Sequence, residues 1–114
     1  MMAIAELSEQ ALLCRLEEKA PAEAVFVYTA FCGTCQLAER MLLIVQEAGS
    51  SVPLYKLNIN YAPVLRDRWA IQSVPCLVLL RDGEPVGFEY AMKAVDYLYN
   101  RLKELGHDAY SSHT

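Results

Sequence analysis

The chain has 114 residues, 54% of them hydrophobic, with a net charge of −4 and no block of basic residues. That length suits one domain whose core needs no metal or disulfide support, and the charge argues against nucleic acid as a partner. The opening MMAIAELSEQ has no basic stretch ahead of an apolar one, and no apolar run approaches the roughly 18–20 residues of a membrane span, so the expectation is a cytoplasmic protein with no membrane partner.

Residues 3–5 are expected as a short edge strand. Ser8 precedes Ala11, Leu12, Leu13 and Leu16 at helical spacing, which predicts a first helix capped by Ser8 and ended before Pro21. AVFVYT, 24–29, is a continuous apolar, β-branched and aromatic run, the pattern of a central strand covered on both faces. FCGTC, 31–35, follows directly. Then QLAERMLLIVQEAG, apolar at 37, 38, 41, 42, 45 and 48, predicts a second helix stopped by Gly49. PLYKLNI, 53–59, reads as a strand, and Pro63 opens a short helix to Ala70. Around that helix Val64, Leu65, Trp69 and Ile71 read as packing and 66–68 as a solvated face. CLVLLR, 76–81, is another buried strand; Asp82-Gly83 signals a hairpin, and 85–90 is its return, marked as an edge by Pro85. Residues 92–105 close the domain as an amphipathic helix, leaving 107–114 as a polar, disordered tail. Alternation ending in a hairpin gives an α/β domain over 1–106, with a mixed four- to five-stranded sheet and helices on both faces.

The chemistry concentrates in the cysteines, Cys14, Cys32, Cys35 and Cys76. A structural zinc site needs four ligands, yet Cys14 and Cys76 are isolated and both histidines, His107 and His113, lie in the tail, so no metal site is expected. A cysteine hydrolase needs a histidine held by the scaffold, and residues 1–106 contain none. A disulfide closing so short a loop removes little chain entropy, which argues against a staple. Redox chemistry fits the position. Cys32 would meet the unpaired amides and positive end of a helix, which stabilise a thiolate. Cys35 would lie one turn deeper on the same face, and Gly33 would let the backbone turn tightly. Cys32 would then attack a disulfide and Cys35 resolve the mixed disulfide. Val74-Pro75 stands directly before a buried strand; a cis bond there would make a tight turn and free the Val74 backbone for a ligand.

The order strand, CGTC, helix, then KLNI, then SVPCLVLLRDGE resembles the thioredoxin family over residues 4–105. The resemblance implies a thioredoxin fold and thiol–disulfide exchange on protein or small-molecule disulfides. It also implies a thiol–disulfide reductase as electron donor and no cofactor beyond the Cys32–Cys35 pair. Carried over by residue, Cys32 is the nucleophile, Cys35 the resolving cysteine and Pro75 a cis-proline packed against them. Phe31 takes the usual place of tryptophan, Val74 supplies the backbone contact to an extended substrate, and Lys56 matches a lysine beneath the site. The departures are specific. Phe26 stands where the family has a buried aspartate, Gly33-Thr34 replaces Gly-Pro, Arg40 replaces a helix proline, Ala91 replaces a glycine and Cys76 replaces a threonine.

Two alternatives to an oxidoreductase remain open from the sequence: a peptide-binding module with little turnover, and a metal or iron–sulfur carrier using Cys32, Cys35 and Cys76. Cys14 is expected as a small, semi-buried helix residue. Cys76 reads either as an inert buried thiol or as a third redox cysteine able to trap Cys35.

Overall fold

The structure, a computed structural model, describes residues 3–49 and 52–111. The elements are β1 (Ala5–Glu6), α1 (Glu9–Glu17), β2 (Glu23–Tyr28), α2 (Gly33–Glu47), β3 (Leu54–Asn58), a 3-10 turn (Ile59–Tyr61), α3 (Pro63–Arg68), β4 (Cys76–Arg81), β5 (Glu84–Glu89) and α4 (Val95–Ser111). The five strands form one mixed sheet in the order β1-β3-β2-β4-β5. β1, β3 and β2 run parallel, while β4 is antiparallel to both β2 and β5.

The apolar run of β2 explains its central place. Successive strand side chains point to opposite faces, and here both faces are buried. Ala24 and Phe26 pack with Leu77 and Leu79 beneath Ala38 and Leu42 of α2 and Leu98 and Leu102 of α4. Val25 and Val27 pack with Val78 and Leu80 against Leu12 of α1 and Leu65 and Trp69 near α3. The sequence reading holds for the sheet, for both helix layers and for Trp69 as packing. β1 and β5 are the two edges; on β5 Pro85 sits at an edge, and a register shift between Leu79 and Leu80 leaves a bulge there.

Local signals set most boundaries. Ser8 caps α1, its hydroxyl accepting the Ala11 N–H at 3.1 Å. Ala62 has no side chain to cap α3; Glu9 of α1 does it from across the fold, accepting the Leu65 N–H at 2.8 Å. The almost fully buried Glu23 is answered by Arg15 at 2.8 Å. Three expectations need correction. Cys14 is exposed, on the solvent side of α1. A 3-10 turn follows β3 where the sequence signals none; the Asn58 side chain supports it by accepting the Asn60 N–H. The last helix starts at Val95 and runs to Ser111, not 92–105. Gly106 costs a helix about 1 kcal/mol relative to alanine, but buried Leu102 and Leu105 anchor it and no proline follows. Residues 112–114, with His113, lie outside the described residues. Among the described residues no helix is long and apolar enough to cross a membrane.

The β4–β5 hairpin turns on Asp82 and Gly83, with φ of 53° and 81°. A Cβ on Gly83 would also collide with the Leu16 carbonyl oxygen at the end of α1, whereas one on Gly49, at φ 80°, would meet nothing within 4 Å. Gly49→Ala is therefore expected to cost only the left-handed penalty, about 1 kcal/mol, and Gly83→Ala about 2 kcal/mol or more. Denaturant midpoints of the two variants measure the difference; equal losses would show that α1 does not press on the hairpin.

Candidate active site

β2 ends at Tyr28, and residues 29–32 carry the chain from the buried sheet to the start of α2. The sharp turn comes from Phe31, at φ 59°, and not from Gly33, whose φ is not positive and whose Cβ would meet nothing within 4 Å. An aromatic residue in the left-handed region is strained by roughly 1–3 kcal/mol, and the Phe31 side chain projects fully into solvent. The strain turns the next residue, Cys32, onto the helix axis.

Cys32 is the N-cap of α2, in extended conformation at φ −114° and ψ 111°. Its sulfur accepts the Cys35 N–H at 3.2 Å and lies 3.3 Å from the Thr34 hydroxyl oxygen. It therefore holds a position where helix amides and the macrodipole favour negative charge. Hydrogen bonds from the Cys35 side chain and then Thr34 lower the Cys32 pKa below that of an ordinary thiol. Cys35, on the first turn of α2, is 2% exposed and faces Phe26 and Ala38 in the core. Burial first, and the hydrogen bond with Cys32 second, push its pKa up to about 11. Both are free thiols. One fold segment thus makes two unlike sulfurs, an accessible one poised to ionise and a buried one held protonated.

Thr29 is a contributor that the sequence reading missed. Its polar groups lie near both sulfurs and lower the pKa of each.

The other expected residues divide. Pro75 lies across from Thr34 in a groove beside the pair, and the Val74–Pro75 peptide is cis. Val74 packs against both core clusters. Phe26 is fully buried, paired across β2 to Lys56 on one side and Leu77 on the other. Lys56 does not reach toward Cys35. Its ammonium pairs with Glu39 of α2 at 3.0 Å and lies 5.3 Å from the centre of the Tyr28 ring. Tyr28 in turn donates to Glu6 at 2.7 Å and stacks on Phe26. Burial and the bond to Glu6 push the Tyr28 pKa to about 12. The sequence does not single out Glu39; it answers a lysine whose strand neighbour at position 26 is a phenylalanine and offers no charge.

Cys76 is fully buried on the α1–α3 side of the sheet, beside Val27 and Val78, while Cys35 belongs to the α2–α4 side. The two do not face each other, and burial pushes the Cys76 pKa up to about 11. Among the described residues no group of three or more cysteine, histidine or acidic side chains converges as a metal site.

Comparison with known proteins agrees with this geometry. The thioredoxin family model matches residues 4–104. The thioredoxin-like protein YusE of Bacillus subtilis is 44% identical over 80 residues, covering 70% of this chain and 76% of that protein. A thioredoxin of Chlamydia caviae is 27% identical over 77 residues, 68% of this chain and 76% of its own. Among solved structures, thioredoxin f2 of Chlamydomonas reinhardtii superposes with a TM-score of 0.78 at 24% identity, over 90% of this chain and 95% of that one. A mutant thioredoxin of Halobacterium salinarum gives 0.79 at 21% identity, over 90% of each chain. The extent of the family match, the YusE likeness and the shared fold make this chain a member of the thioredoxin family.

Proposed function

We propose that the protein is a thiol–disulfide oxidoreductase that reduces substrate disulfides through Cys32 and Cys35. The observation that carries the reading is the unlike pair: a Cys32 sulfur capping α2, hydrogen-bonded by the Cys35 amide and Thr34, above a buried Cys35. The Cys32 thiolate attacks one sulfur of the substrate disulfide, and the other leaves as a thiolate that takes up a proton. Cys35 then loses its proton and attacks the Cys32 sulfur. This releases the second substrate thiol and leaves a Cys32–Cys35 disulfide, so two electrons pass to the substrate. An external thiol–disulfide reductase, such as a thioredoxin reductase, restores the pair. No cofactor beyond the cysteines takes part, and a reducing cytoplasm is the compartment in which this direction runs. Phe31, Gly33, Thr34, Val74 and Pro75 form the rim that receives an extended disulfide-bearing segment, with the Val74 backbone as its hydrogen-bonding partner.

The metal-carrier alternative loses its third ligand, since Cys76 and Cys35 lie on opposite sides of the sheet. The binding-module alternative keeps one observation in its favour: a buried, poorly ionised resolving thiol prolongs the mixed disulfide. Insulin reduction with a dithiol donor separates capture from turnover.

Cys32→Ser is expected to abolish disulfide reduction, and Cys35→Ser to retain attack and accumulate mixed disulfides. In a Cys14→Ser background, which removes the exposed third thiol, iodoacetamide at neutral pH labels Cys32 first. Labelling of Cys35 first would reverse the roles.

Resolution requires the Cys35 thiolate, and Phe26 cannot take the proton. With the Cys35 pKa raised to about 11, chiefly by burial that persists in the mixed disulfide, the thiolate fraction climbs about tenfold per pH unit below that value. Single-turnover kinetics across pH 6–9 should show attack levelling off above the lowered pKa of Cys32 while resolution keeps rising and limits turnover. Phe26→Asp should speed resolution, although a buried acid there costs several kcal/mol, roughly the desolvation of an unpaired polar group. A resolution step flat with pH in the native protein would show that the missing carboxylate has no kinetic consequence.

A further inference from the structure

The β4–β5 hairpin lies at the end of the sheet where β2 starts, a full strand length from the cysteines that follow the end of β2. There the C-terminal half of α1, the end of α3 and the hairpin enclose a crevice of about 400 Å³, a volume in the range of small-molecule sites. Its walls are tied together. The Asp82 N–H donates to the Ala20 carbonyl at 3.0 Å, fastening the hairpin to the loop after α1, and Gly83 approaches the Leu16 carbonyl too closely for any side chain. Leu13, Leu16 and Pro85 make the apolar part of the lining. Trp69 lines the crevice as well and is otherwise buried, 4% exposed. An indole N–H only donates, and it ordinarily finds a partner when buried. Among the described residues no acceptor meets that of Trp69, and the nitrogen is not sealed from solvent.

Charges of both signs line the same crevice: Lys19 and Arg68 on one hand, Glu17 and Glu84 on the other. Among the described residues none of the four has an ion-pair partner. A simple anion placed here would meet two carboxylates, and a simple cation an ammonium and a guanidinium. A molecule with one charge of each sign answers both sets, and an apolar body answers the leucines and the proline. We propose that the crevice is a binding site for a small zwitterion, a free amino acid with an aliphatic side chain. Its carboxylate accepts from the Trp69 indole N–H and from Arg68, a charge-assisted pair. Its ammonium donates to Glu17 and Glu84, and its side chain lies on Leu13, Leu16 and Pro85. The site stands apart from Cys32 and Cys35, so it does not depend on the oxidoreductase reading.

Trp69 is the chain's single tryptophan, so one indole N–H peak in a proton–nitrogen NMR spectrum of the full chain reports on the crevice. Titration with L-leucine should move that peak to saturation, half-way at about 1 mM, an affinity within reach of so small a ligand. N-acetyl-L-leucine lacks the cation and L-leucinamide the anion; each should bind about tenfold more weakly or worse, since each leaves one set of charges unanswered. Arg68→Gln and Glu84→Gln change exposed residues, and each should weaken leucine binding about tenfold, the loss of one charge-assisted contact. Neither should alter the rate of disulfide reduction. An indole peak that stays in place at about 50 mM leucine, far above the expected half-saturation, would overturn the proposal. So would equal shifts with all three compounds, or leucine binding that survives both substitutions.

Discussion

The hydrogen bond from the Cys35 amide to the Cys32 sulfur, 3.2 Å long, joins the backbone of α2 to the reactive atom. A helix begins with unpaired N–H groups that demand acceptors, and here a thiol answers where serine or aspartate ordinarily would. The same contact caps the helix, fixes where the sulfur points and favours its ionised form. It exists because β2 is buried on both faces and cannot shift. Phe31 accepts left-handed strain to set Cys32 on the helix end, and the cores on either side hold the strand against that strain. A weaker central strand would let the turn relax and the cap dissolve.

What sets this member of the family apart lies one layer beneath. Phe26 fills the space under Cys35 with a ring, and the lysine across the strand turns to a glutamate on α2. The charges near the site gather outside the core, on Lys56, Glu39 and Glu6, with Tyr28 between them. The two sulfurs therefore part company: polar contacts gather on Cys32 while Cys35 is left dry, eased only by Thr29. A dry thiol gives up its proton reluctantly, so the same turn that favours ionisation of Cys32 leaves Cys35 protonated.

The fold was largely legible because its signals are local and redundant. Two unbroken apolar runs marked β2 and β4, a proline marked the edge, and Ser8 and Gly49 bounded helices. The cysteine pair at a strand-to-helix junction was readable for the same reason. What escaped depends on neighbours brought together by the chain's folding. A glycine in a tight motif suggests a turn at Gly33, yet the turn falls two residues earlier, on Phe31. Gly106 suggests a helix end, but buried Leu102 and Leu105 carry α4 past it. The resemblance points to Lys56, but its partner Glu39 sits on another element, and no spacing along the chain links them.

The claim that two unlike thiols share one helix turn is tested most directly by titrating them separately, with Cβ-labelled cysteine followed by NMR in the reduced protein. The account predicts that Cys32 ionises below an ordinary thiol and that Cys35 stays protonated until about pH 11. Ionisation of Cys35 ahead of Cys32, or of both at the value of a free thiol, would contradict it.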